Sequence, residues 1–310
     1  MNQRYNSLNL YFWLLIAVSF GLVSVGLALS WMYGHTWVQV LGHICRVNFQ
    51  HLKEHLPVAT QLIIPTILLI VIIRGGMSLV RQLRTTGQLI RLFLPLRESL
   101  PVRVEVLLAA HGLKSEDIVF LNLPIAHAFC LGFWQPRIWL TTGLVNLLSN
   151  EELDAVLAHE AYHCRQRDPL RLLLVRTFKA AFFFLPLVGD FAQAAELQQE
   201  VGADQAAIAY LGDDLPLLCT IQKLLKIDSA ERWPTAPYSP FNVTEARLRR
   251  LIYPSQPFCW QIYLPSGLIS LGSMIILGII VLLSVQPGLA QTSHCPYEHV
   301  ALFHTDAYAS

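Results

Sequence analysis

The stretch that decides the fold runs from Ser149 to Pro169 and reads SNEELDAVLAHEAYHCRQRDP. Ser149 and Glu152 form a capping box, in which each side chain satisfies the other's orphan amide, so a helix starts here. Leu153, Val156 and Leu157 give that helix an apolar stripe, and Pro169 stops it. On it lie His159, Glu160 and His163. Histidines at i and i+4 leave one helical face about one turn apart, so both imidazoles can bind one zinc ion. Glu160 sits beside the first ligand. There its carboxylate is placed to take a proton from a zinc-activated water and not to hold the metal.

A catalytic zinc needs a third protein ligand and an open fourth position. Position 169, six residues after His163, is Pro, and the next His in the chain is His294. A carboxylate is therefore expected. The segment Glu196-Leu-Gln-Gln-Glu-Val-Gly-Ala-Asp204 reads as a helix with Glu196, Glu200 and Asp204 on one face. Glu200 is the expected ligand, Asp204 the group that orients a histidine from behind, and Glu196 the reserve ligand. Asp168 either orients a ligand or the helix end, or is a plain acid beside a proline turn.

Outward from this site the chain becomes very apolar. Of its 310 residues 54% are hydrophobic and only 14% charged, with mean hydropathy +0.46. A soluble chain carries about 25% charged residues. Disorder, a disulfide scaffold and an ordinary cytosolic enzyme are disfavoured. A net charge of +1 provides no global basic field, and no direct nucleic-acid contact is expected. Three uncharged runs are read as transmembrane helices: Tyr11 to Met32 within residues 1–33, Pro57 to Ile73, and Leu264 to Val285. The first is too long for the apolar part of a signal peptide and has no clear cleavage site. Pro65 is expected to kink the second, which membrane helices tolerate.

Arginines follow the second run (Arg74, Arg81, Arg84, Arg91, Arg97) and precede the third (Arg247, Arg249, Arg250). By the positive-inside rule the amino end and residues 74–255 lie in the cytosol. Residues 34–56 then form an external loop and residues 289–310 an external tail. Within 74–255, residues 77–115 read as helical. Residues 118–121, 125–131 and 137–142 read as strands, with Gly132, Gln135 and Pro136 in a turn. The apolar segment 180–188 cannot be a span. Only 36 residues separate His163 from Glu200, and two crossings need about 40. It is a core helix or a hydrophobic hairpin against the inner leaflet, with a slight preference for membrane contact.

Several stretches in order resemble the BlaR/MecR-type membrane metalloproteases, and more distantly the HtpX-type membrane proteases. They are Ala128-Phe-Cys-Leu-Gly132, Pro136-Arg-Ile138, Leu153-Asp-Ala-Val-Leu-Ala-His-Glu160, Asp168, Phe184-Leu-Pro186 and Glu200 to Asp204. The resemblance covers roughly residues 75–255. It implies His159, His163 and Glu200 as zinc ligands and Glu160 as catalytic base. It also implies an edge strand near residues 125–131 that holds an extended substrate by strand addition. His127 on that strand is a candidate for substrate contact or oxyanion stabilisation.

The fold class expected is thus membrane α-helical plus α+β: three transmembrane helices and a cytosolic, gluzincin-like zincin domain. In the family such a receptor cleaves, or triggers cleavage of, a winged-helix repressor of the BlaI type. A homodimer is compatible with the reading. This chain departs from the antibiotic-sensing members. About 22 residues follow the last expected span, with no Ser-x-x-Lys motif, so β-lactam sensing through a penicillin-binding domain is not expected.

Seven of eleven His fall outside in this topology: His35, His43, His51, His55, His294, His299 and His304. His51 and His55 have ligand spacing, and Cys295 lies between His294 and His299. Imidazole with thiolate suits copper or zinc, so an external metal-sensing site is expected here, copper first. The competing reading is a Cys45–Cys295 disulfide. Three function classes follow: a signalling protease, an HtpX-like quality-control protease, and a non-catalytic metal-sensing receptor.

Overall fold

The computed structural model describes residues 10–32, 56–228, 251 and 263–284. The expected external loop and tail, with His51, His55, Cys45, His294, Cys295 and His299, lie outside the described residues. So do residues 229–250 and 252–255 of the expected cytosolic segment, and residues 256–262 after it.

Helix α1 spans Leu10–Met32 and α2 spans Leu56–Phe93. The second expected span ends at residue 73, but α2 runs on for twenty residues, with Pro65 inside it. Gly75 and Gly76 do not break it. Gly75 faces the helix that ends at Ala181, where an added Cβ would lie 3.3 Å from Ala181 Cβ, so its lack of a side chain lets two helices approach. The expected helical stretch 77–115 is in fact interrupted. A 3-10 turn, Leu94–Leu96, and an extended link precede α3 at Val102–Ala110. Pro95 and Pro101 mark both breaks, since proline lacks the amide that would continue a helix. Among the described residues, one helix is long and apolar enough to cross a membrane, over Pro65–Leu96; Phe12–Gly21 and Leu264–Ile280 are shorter apolar helical stretches.

A second 3-10 turn, Ser115–Asp117, leads into a three-stranded sheet of β1 Ile118–Leu121, β2 Ala128–Leu131 and β3 Arg137–Thr141. The order is β1-β3-β2, with β1 parallel and β2 antiparallel to β3. Thus β2 lies at an edge. Successive side chains point to opposite faces, and both faces are covered. Ile118, Phe120, Ala128, Ile138 and Leu140 pack with Val104, Leu108, Leu153, Val156 and Leu157. Val119, Leu121, Leu131 and Trp139 pack with Phe93 of α2 and with Leu173. Double burial explains why the strands read as unbroken apolar runs.

After β3 come α4 Thr142–Leu147, α5 Asn150–Gln166, α6 Asp168–Ala181, α7 Pro186–Leu211, α8 Leu215–Asp228 and α9 Leu264–Ser284. Segment 180–188 is a hairpin: α6 ends at Ala181 and α7 begins at Pro186. Phe182, Leu185 and Val188 join Phe12 and Leu15 of α1 and Val71 of α2 in one apolar cluster. The Leu187 amide donates to Ser270 Oγ of α9 at 3.0 Å. Phe183 stays exposed, with the Arg74 guanidinium 4.3 Å from its ring centre.

The loop feeding β2 is pinned to the start of α4. Thr141 Oγ1 donates to the Ile125 carbonyl at 2.6 Å, and the Gly143 amide donates to the Leu123 carbonyl at 2.9 Å. A Cβ at Gly143 would overlap the Pro124 carbonyl. Gly143→Ala is therefore expected to destabilise the protein by about 1–3 kcal/mol. Thermal unfolding of the detergent-solubilised chain measures this, and an unchanged midpoint would contradict the packing.

Candidate metal centre

Helix α5 begins as its capping box dictates. The Ser149 amide donates to Glu152 Oε2 at 2.7 Å, and the Glu152 amide to Ser149 Oγ at 3.3 Å. It ends one residue before Arg167, whose φ of 54° turns the chain left-handed and starts α6 with Pro169 in its first turn. The break matters for the site. It swings Asp168 back under α5, so that Asp168 Oδ2 lies 2.7 Å from His163 Nδ1.

Helix α7 lies along α5. The close approach needs Gly202, where a Cβ would come 2.5 Å from the Tyr162 hydroxyl. Glu200 is thereby brought over the two histidines. His159 Nε2 and His163 Nε2 lie 3.1 Å apart, and each is 3.7 Å from a Glu200 oxygen. Candidate ligand atoms of His159, His163 and Glu200 all fall within 4.8 Å of one another. Behind them, Asp204 Oδ1 lies 3.0 Å from His159 Nδ1. Carboxylates at both Nδ1 atoms fix each ring so that Nε2 faces the common point. Two imidazoles and one carboxylate are the donor set that zinc takes in a hydrolytic site, so these residues fit the metal. Side-chain exposure rises from 1% at His159 to 12% at His163 and 27% at Glu200. The site therefore opens on the Glu200 side.

Glu160 is buried beside His159. Glu196 does not join the cluster; its Oε1 accepts from Arg176 Nε at 3.2 Å. His127 immediately precedes β2. Its backbone is tied to Thr141, with the amide 2.9 Å from Thr141 Oγ1, and it is not part of the ligand set. Arg171 reaches Asp168 Oδ1 at 3.4 Å and lies over the Phe12 ring at 5.6 Å. Sequence reading did not find Arg171 or Gly202, because both roles depend on which helices meet. The sulfurs of Cys130 and Cys164 lie 2.7 Å apart. Burial pushes the Cys130 thiol well up, and Cys164 adds to the shift.

In the metal-free site burial pulls the His163 pKa down, but the hydrogen bond to Asp168 and the charges of Glu200 and Glu160 outweigh it. The pKa rises from 6.5 to about 9. The metal-free protein therefore gains stability from this group that is complete below about 6.5 and lost as pH rises through about 9. Ligation requires the neutral ring. Zinc binding at pH 7.5 is thus expected to release about one proton from His163, seen as buffer-dependent heat in titration calorimetry. A buffer-independent heat would exclude it. Asp168→Asn and Asp204→Asn are each expected to weaken zinc by about 10- to 100-fold, measured by competition with a chelator. Unchanged affinity in both would remove their orienting role.

A mostly helical chain with an i,i+4 histidine pair, an adjacent glutamate and a third carboxylate from a neighbouring helix defines a metallopeptidase-like class. The BlaR1 peptidase M56 family matches residues 36–238, and the chain belongs to that family. It is 27% identical over 136 residues to Regulatory protein BlaR1 of Bacillus licheniformis, covering 44% of this chain and 21% of that protein. It is 40% identical over 74 residues to a Protease HtpX homolog of Caldanaerobacter subterraneus subsp. tengcongensis, 23% of this chain and 24% of that protein. A Protease HtpX homolog of Aeropyrum pernix is 34% identical over 94 residues, 30% of each chain. The chain thus spans between a fifth and a third of the length of these relatives.

Proposed function

We propose that this chain is a membrane-embedded zinc metalloendopeptidase that acts in signalling by cutting a cytosolic protein, with a winged-helix repressor as the substrate. The observation that carries the catalytic part is the convergence of both Nε2 atoms on the Glu200 carboxylate, with Asp204 and Asp168 behind the rings. His159, His163 and Glu200 would hold the zinc. When bound, zinc supplies Lewis acidity that polarises a peptide carbonyl and acidifies a water to near neutrality. Glu160 takes the proton from the attacking water and delivers it to the leaving amine. Its burial keeps that carboxylate away from bulk water, which would otherwise exchange the proton. The outer edge of β2 is the expected rail for an extended substrate, with His127 at its start as the residue to touch substrate.

Membrane embedding has support in the apolar helix over residues 65–96 and in exposed apolar side chains on three helices, among them Phe20, Ile72 and Ile276. We read α1, α2 and α9 as the three spans and the sheet with α5 to α8 as cytosolic. The signalling role has support in the likeness to a regulatory protein; the alternative of a quality-control protease has support in the likeness to two proteins named as HtpX protease homologs. A homodimer is compatible with either reading. Among the described residues, the His159–His163–Glu200 group gathers three ligand-type side chains; His51, His55, His294, Cys295 and His299, the expected copper site, lie outside the described residues.

The test compares new protein amino termini in cells carrying this chain or its Glu160→Gln form. One Glu160-dependent cut in a DNA-binding repressor supports the signalling reading. Cuts scattered over membrane proteins would favour turnover. No Glu160-dependent cut would leave a receptor with a structural zinc.

A further inference from the structure

Cys130 on β2 and Cys164 on α5 come from elements that both matter to the proposed chemistry, and neither thiol is used by it. Their Sγ atoms lie 2.7 Å apart, close to the ~2.05 Å of a disulfide. Cys130 is buried and Cys164 is partly exposed. Cys164 follows His163 directly, and Cys130 pairs with Ile138 in the edge of the sheet. A covalent link here closes a loop that contains β3, α4 and most of α5.

We propose that Cys130 and Cys164 are a reversible oxidation site, whose disulfide fastens the edge strand β2 to the helix that carries both histidines. The oxidant class is a hydroperoxide. The Cys164 thiol attacks the O–O bond of hydrogen peroxide, giving a sulfenic acid and one water. The Cys130 sulfur then displaces the sulfenic oxygen, which leaves as a second water with the remaining thiol proton. Two thiols are oxidised by two electrons and one peroxide is reduced. A dithiol reductant reverses the step by exchange. The closed form holds β2 at a fixed distance from α5, so opening of the edge strand slows. This site stands independently of peptidase activity.

The full-length protein in detergent, reduced and zinc-loaded, is exposed to hydrogen peroxide, capped with N-ethylmaleimide and mapped by mass spectrometry. The expected result is a linked pair of peptides carrying residues 130 and 164, released by dithiothreitol. Hydrogen exchange at residues 128–131 should slow several-fold on oxidation and recover on reduction. In Cys164→Ser, Cys130 should stay a free thiol under the same treatment. Cys164 carried to sulfinic acid with Cys130 still free would overturn the proposal. So would both thiols remaining unmodified at peroxide levels that oxidise free cysteine, or a linked pair that leaves the exchange of β2 unchanged.

Discussion

A Glu160→Gln chain is expected to keep about one zinc ion per molecule and to lose about 10³-fold in the rate of peptide hydrolysis. The substitution keeps the shape of a buried side chain and removes its ability to carry a proton. Glu160 is 3% exposed, so no water-borne base can easily take its place. His159 and His163 keep their carboxylate partners, Asp204 and Asp168, so the ligands remain oriented. Measuring kcat beside metal content separates two roles. Loss of zinc with loss of rate would make Glu160 a ligand. Full activity would remove it from the chemistry.

Glu200→Ala is the second large effect. The variant keeps two imidazoles and loses the third donor, so its zinc affinity should fall by more than the roughly 10- to 100-fold expected when an orienting carboxylate is changed. It should leave purification metal-free in the presence of a weak chelator. Glu196→Ala, four residues earlier on the same helix, is the control. Its carboxylate is engaged with Arg176, and zinc content should not change. If the two variants exchange behaviour, the ligand is Glu196 and α7 sits about one turn away from the position described. Metal analysis by mass spectrometry decides this without any substrate.

What the sequence disclosed depended on how local the cause was. The capping box of Ser149 and Glu152, the proline after Asp168 and the i,i+4 pair of His159 and His163 act within one helix, so they can be read from spacing alone. The three strands were legible as apolar runs, though the second begins at Ala128 and not at Ile125, because residues 123–127 are spent on hydrogen bonds to Thr141 and the start of α4. That Glu200 meets the two histidines was legible by chemistry, since a catalytic metal needs a third ligand and no His follows nearby. What stayed hidden was set by helices meeting. Nothing local reveals that Gly202 admits Tyr162, that Arg171 reaches Asp168, or that Cys130 faces Cys164. In α2 only the continuity through Arg74, Gly75 and Gly76 was hidden, since the stretches on both sides read as helical. A change from apolar to basic residues at Arg74 marks where a solvent boundary is expected, and a helix has no cause to stop there.

Beyond Pro65, α2 runs on as one helix to Phe93, about 43 Å at 1.5 Å per residue. One portion is clad in apolar side chains such as Leu69 and Ile72. The other end finishes at Phe93, whose ring centre is 5.9 Å from Phe129 on β2 and 6.1 Å from Trp139 on β3. The helix that carries this apolar cladding therefore also bears directly on the sheet, through one aromatic residue at its end.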